Sequence, residues 1–231
     1  MKNIIKILKT STTALIMLAL MFLVVEPAVS SSASATSQFT ETLTVTSEIS
    51  FLTPGSNIVL LPNISGITGG TANGQTQVRV LTNNATGYTM TMVASSSLGM
   101  VGASQGGNIP AYVPATNGIP DYAFAAATAG TAGKFGFTVE ASTTADLVAA
   151  FKNAGVSTGP CGGSGTFDTV DACWYGATTT PVTIVNRSTF TPSSGATTTI
   201  KFRASVGSNP NPAIPEDTYT ATTTLTATEN P

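Results

Sequence analysis

The sequence predicts an all-β protein, folded as an antiparallel two-sheet sandwich. Three observations carry this. Apolar and polar residues alternate with period two in several short runs, Thr is used heavily, and Gly, Pro and Asn clusters interrupt the runs at short intervals. Period two sends successive side chains to opposite faces of a strand, so one face is buried and the other wet. Thr is β-branched, which disfavours helix and suits a pleated surface. The 196 residues after Ala35 include 38 Thr, six basic residues and ten acidic ones, so hydroxyls rather than charges must keep the exposed faces hydrated.

The first element is not part of the sandwich. Lys2, Lys6 and Lys9 precede an apolar run from Ala14 to Val25, and Ala33-Ser34-Ala35 follows as a small-residue segment. That order is expected of a secretory signal peptide over 1–35, with cleavage after Ala35 or, alternatively, after Ser30. The apolar run is shorter than the roughly 20 helical residues that span a bilayer core. No later stretch is apolar and long enough to span a membrane, so the chain is expected to leave the cytosol and to carry no transmembrane segment when mature. Residues 36–231 are expected to form one domain.

Phe39, Leu43, Val45, Ile49 and Phe51 share one parity, opposite Thr40, Thr42, Thr44, Thr46, Glu48 and Ser50, and predict a long first strand ended by Pro54-Gly55. A short apolar run follows at 57–61. Val78 and Val80 alternate with Gln77 and Arg79, the cluster Asn83-Asn84-Ala85-Thr86-Gly87 makes a turn, and Tyr88, Met90 and Met92 resume the alternation, which together read as a hairpin. Residues 95–133 read as a long loop region with one candidate strand at 122–126, and Phe135, Phe137 and Val139 restart the strands. Thr143, Asp146, Leu147, Val148 and Phe151 then predict one short helix over 144–154, capped by Thr143 and ended by Gly155. Strands at 181–186, 198–206 and 218–228 complete eight to ten in all, a number that argues for two packed sheets.

Cys161 and Cys173 are the only cysteines, and Gly162, Gly163 and Gly165 between them allow a tight loop to close. In an exported chain they are expected to form a disulfide. Two Cys and no His cannot supply a tetrahedral zinc site, and Asp168 with Asp171 matches no calcium loop spacing. The absence of His also removes Ser-His and Cys-His nucleophile activation. The close carboxylate pairs, Asp168 with Asp171 and Glu216 with Asp217, sit in Gly- or Pro-flanked loops and read as turn caps rather than as a glycosidase pair. No catalytic residue, metal or cofactor is expected. Six scattered cations cannot drive nucleic-acid binding by counterion release.

Two stretches carry a resemblance: Ile200 to Ala204 followed by Asp217 to Thr226, and Thr82 to Thr89. They resemble segments of Ig-like β-sandwich surface proteins of bacteria, among them fimbrial and spore-coat-U-like subunits. The resemblance implies an Ig-like form of the sandwich and a structural or adhesive role at the cell surface, without catalysis.

Two functions follow as expectations. The first is a secreted or cell-surface structural or adhesive protein, whose partners are other surface proteins or copies of itself. Its assembly strand would be the one carrying Phe39, Leu43, Val45, Ile49 and Phe51. The second is a monomeric extracellular module for carbohydrate, including cell-wall glycan, or peptide. Its binding edge would be formed by the loops at 95–120 and 156–175, with Tyr112, Phe167, Trp174 and Tyr175 as the aromatics.

Overall fold

Thirteen-residue and eleven-residue strands form the spine of the molecule: β2 (Gly70–Thr82) pairs antiparallel with β9 (Ala196–Val206) over almost its whole length. Both carry most of their apolar side chains on one parity, Ala72, Val78 and Val80 in β2 and Ile200, Phe202 and Ala204 in β9. Around them, in a computed structural model that describes residues 35–114, 120, 124, 127–152 and 173–231, lie nine further strands. These are β1 (Ile49–Thr53), β3 (Tyr88–Ala94), β4 (Met100–Gly102), β5 (Asn108–Ile109), β6 (Lys134–Ala141), β7 (Tyr175–Gly176), β8 (Val182–Arg187), β10 (Tyr219–Thr220) and β11 (Thr223–Glu229).

The protein is all-β, with three antiparallel sheets. One has the order β1-β2-β9-β6-β7, the second β11-β3-β8, and the third β10-β4-β5. The chain divides into two units between Thr44 and Val45. Of the first, Ala35–Thr44 is described, and it is exposed chain without strand assignment. The second contains every strand.

A single apolar core joins the two larger sheets. Val78, Val80, Phe137, Val139 and Ile200 from the five-stranded sheet are buried with Tyr88, Met90, Met92, Ile184 and Val185 from the β11-β3-β8 sheet. Fully burying each such side chain is worth about 1.5–3 kcal/mol relative to leaving it exposed.

Two expectations are corrected. The segments flanking Asn83–Gly87 do not form a hairpin: β2 pairs with β1 and β9, whereas β3 pairs with β11 and β8. The turn is an arch that carries the chain from one sheet to the other. Its side chains serve other segments, with Asn83 holding Glu48 and Asn84 holding Asn230, which leaves the two strands free to diverge. Gly87 is required there, since its φ is +77° and a Cβ would lie 2.1 Å from the Arg187 carbonyl oxygen.

Nor does the region from 144 form a helix among its described residues. It makes two 3-10 turns, Thr144–Asp146 and Ala149–Phe151, with Leu147 and Val148 extended between them. Leu147 is buried and bridges to Val185, and the Val148 amide donates to the Ile184 carbonyl. Sheet pairing therefore outcompetes a helix too short to gain from its own cooperativity. Thr143 makes no side-chain cap, and Asp146 instead pairs with Arg187 at 2.5 Å. The region 95–133 contributes β4 and β5; most of the candidate strand at 122–126 lies outside the described residues, and its Phe124 is buried.

Candidate functional site

The expected assembly strand splits into two parts. Ile49 and Phe51 lie in β1, opposite Thr82 and Val80, and pack half-buried against the core. Phe39, Leu43 and Val45 are 80%, 87% and 75% exposed, and residues 35–48 belong to no strand. The strand begins only at Ile49 because its partner runs out: Thr82 is the last residue of β2. Beyond it Asn83 holds the chain by its backbone amide, which donates to the Glu48 carbonyl at 3.4 Å, and by its side chain, which accepts from the Glu48 amide at 2.7 Å and donates to the Thr46 carbonyl at 3.0 Å. The Thr82 hydroxyl donates to the Glu48 carbonyl at 2.8 Å.

β1 and β11 are end strands of their sheets and approach each other. At one end they are tied, with the Ser47 hydroxyl donating to Glu229 at 2.9 Å. From Phe51 and Leu225 onward they part, leaving a groove of about 710 Å³. Its floor is apolar, with Phe135, Ile200 and Phe202 below and Met100 at one side. One wall is the segment from Pro54 to Leu60, which follows the edge of β2, and the other runs from Tyr219 to Leu225. Gly74 lets the first wall approach closely, since a Cβ there would lie 2.7 Å from Leu60. None of the described lining residues is charged; polar groups stand on both walls, with Ser56, Asn57 and Thr76 on one, where the two hydroxyls are 3.2 Å apart, and Thr220, Thr222, Thr223 and Thr224 on the other.

The edge of β11 that meets the groove can be assigned. The Ser95 amide donates to the Thr222 carbonyl, and the Asn230 amide to the Gly87 carbonyl, so the even-numbered residues bond to β3. In an antiparallel ladder the intervening residues then point their amides and carbonyls the other way. Thr223, Leu225 and Ala227 thus direct backbone groups to the side of β11 that has no neighbouring strand.

Beside the groove, Asp217 organises the entry to β10. It accepts from the Ser104, Gln105 and Thr218 amides at 2.7, 2.8 and 2.8 Å, and these bonds hold its carboxyl below the usual range. Its role is that of a loop cap. Tyr219 donates to the Pro215 carbonyl, and burial, then the charge of Asp217, raises its phenol.

The expected binding-edge aromatics have mostly other surroundings. Tyr112 and Trp174 are buried with Phe124, at ring separations of 4.9 and 5.1 Å. They cover the face of the five-stranded sheet that looks away from the main core. Arg203 projects into them, its guanidinium 4.6 Å from the Trp174 ring, and it donates to Asn73. Tyr175 is half-buried and meets Phe137 and Phe151 edge-on. Phe167 lies outside the described residues. Tyr112 and Trp174 therefore present no open stacking face, in contrast to the expected binding edge.

Cys173 is buried, and the Thr138 hydroxyl donates to its carbonyl at 2.8 Å. Its expected partner Cys161 lies outside the described residues, as do Asp168 and Asp171. Among the described residues no three His, Cys, Asp or Glu side chains converge on one point, and no helix is long and apolar enough to cross a membrane. The feature that reasoning from the sequence missed is the groove, since its walls come from 54–60 and 219–225, far apart in the chain and unremarkable in composition. Compared with known proteins, the chain matches no protein-family model, no curated protein and no solved structure.

Proposed function

We propose that this chain is exported by a cleaved signal peptide and serves, without catalysis, as a structural or adhesive protein of the cell surface that assembles with copies of itself. The fold in this reading is an Ig-like two-sheet sandwich closed by the β10-β4-β5 sheet, with a Cys161–Cys173 disulfide. The observation that carries the reading is the stretch Phe39 to Val45. An exposed chain alternating apolar residues with Thr is a poor solvent-facing tail and a good edge strand. Three large apolar side chains left in water on one parity are a liability that association removes.

A monomeric binding module is the competing reading. The burial of Tyr112 and Trp174 weighs against it, because loop aromatics that bind ligands must offer a face. Catalysis has no support in a chain without His, in which Asp217 is occupied as a loop cap.

The test is the size distribution of the chain from Thr36 to Pro231, purified oxidised, by light scattering and negative-stain electron microscopy. Regular filaments or discrete oligomers are expected. A monomer at every accessible concentration would sink the assembly reading and return weight to the binding module.

A further inference from the structure

We propose that residues 144–152 are a guard on the outer edge of β8, an autoinhibitory contact that keeps this strand from pairing with β8 of a second copy of the chain. The contact lies at the other end of the sheet from β11 and does not depend on the assembly reading above.

β8 is an end strand, with β3 on one side of it only. It is also a segment that pairs readily. Val182, Thr183, Ile184 and Val185 are consecutive β-branched residues, and no charged side chain occurs from Cys173 to Asn186. An uncharged, β-branched edge is a template for a further strand unless something covers it. Two devices meet at Ile184. The ladder with β3 runs from the pair Met90 and Val185 to the pair Thr91 and Thr183, which leaves Ile184 as a bulge without a partner on β3. Its carbonyl accepts instead from the Val148 amide at 3.2 Å, and Leu147 bridges to Val185.

The guard is fastened at both ends. At the near end the Arg187 guanidinium reaches from β8 itself to Asp146, and its other nitrogens donate to the Thr189 and Phe190 carbonyls, so the cation that holds the guard is itself held. At the far end Phe151 is fully buried against Phe137, and its carbonyl accepts from the Cys173 amide. Lys152 donates to the Ala145 carbonyl and closes the segment on itself. Between these points Leu147 and Val148 are extended, and the chain on either side turns away as 3-10. The guard therefore occupies the middle of the edge without presenting an edge of its own, as a full strand would. With the guard lifted, two copies of β8 can pair antiparallel along their whole length about a two-fold axis. Arg187 then lies opposite Val182 rather than another Arg187, so no like charges meet.

The experiment measures binding of a synthetic peptide of residues 181–188, the sequence of β8, to the chain from Thr36 to Pro231 and to two variants of it. Val148→Pro removes the amide that occupies the Ile184 carbonyl, and the backbone accepts it, since Val148 has a φ of −60° and Leu147 before it is extended. Asp146→Ala releases the near end. Both variants should bind the peptide about tenfold more tightly than the unsubstituted chain does, because a strand enters only those molecules whose edge is open. In Asp146→Ala the Val148 amide should also exchange faster while the amides within β2 and β9 are unchanged. A peptide with a photoreactive diazirine side chain in place of Ile184 should label residues 182–187 of the variants. Equal affinity for all three chains would mean that the edge is not guarded, and no binding to either variant would mean that β8 accepts no strand. Labelling confined to 219–225 would put the peptide in the groove instead. Each of these results overturns the proposal, and because the two substitutions act on different fastenings, a fold lost in one leaves the other to decide.

Discussion

Phe39 to Val45 and Ile49 to Phe51 carry one continuous period-two pattern, yet the second part is docked on the core and the first is open to solvent. Nothing in local propensity separates them. The difference is the availability of a partner: β2 ends at Thr82, opposite Ile49, and the chain then arches into the other sheet. Alternation reports that a segment is competent to form a strand with one buried face. Whether it does so within its own molecule depends on an edge of sufficient length.

The contrast can be broken most strongly by removing apolar atoms from each side of it. Ile200→Ala, in the core on β9, two strands from β1 in the same sheet, should cost about 2–5 kcal/mol in urea unfolding, because a cavity remains where the side chain was. Leu43→Ala should change the stability of the monomer by under about 0.5 kcal/mol. A large cost at Leu43 in a dilute monomer would mean that the segment is docked on its own molecule, and the contrast would be lost.

A smaller effect probes the boundary itself. Asn83→Ala removes the side-chain acceptor for the Glu48 amide and the donor to the Thr46 carbonyl, and should destabilise by about 1 kcal/mol. Hydrogen exchange should show the Glu48 amide opening while those inside β2 stay protected. Equal loss of protection throughout β2 would show that Asn83 supports the whole sheet rather than the point where β1 begins.

The last effect is confined to alkaline pH and tests the other leg of the arch. Tyr88, first residue of β3, has its phenol pushed up from 10.0 to about 12, by burial first and then by the charge of Asp146, with Arg187 opposing. Above about pH 10 the unfolded chain releases this proton and the folded one retains it. Stability should therefore fall with rising pH, levelling near pH 12, at a rate of up to about 1.4 kcal/mol per pH unit. Tyr88→Phe should flatten that decline without restoring a hairpin between β2 and β3. An unchanged decline in the Phe variant would place its origin elsewhere.

Much of the strand content was legible because burial on one face imposes period two. Val78 and Val80, Tyr88 to Met92, Phe135 to Val139 and Ile200 to Ala204 all lie in the strands expected of them, although Phe135 to Val139 and Ile200 to Phe202 are buried on both faces. The short helix was misread for a definite reason. Leu147, Val148 and Phe151 do share a helical spacing, but the same apolar residues bridge to Val185 and reach the core from an extended backbone. Tyr112 and Trp174 fall in segments that read as loops, which made them candidates for a binding edge. In the fold they cover Arg203 on the second face of the sheet, and one sequence position cannot disclose which side chain will lie beneath another.

By itself the sequence determined the all-β class, the parity of most core positions and the lack of histidine chemistry, since these follow from side-chain type and from the two-residue repeat of a strand. Tertiary structure alone decided that the turn at Asn83–Gly87 is an arch rather than a hairpin, that β1 starts at Ile49, and that β1 and β11 part to leave a groove. The physical reason is that strand pairing is a contract between distant segments. Local pattern states what each segment can bury, whereas the number and length of edges available to it are properties of the assembled sheets.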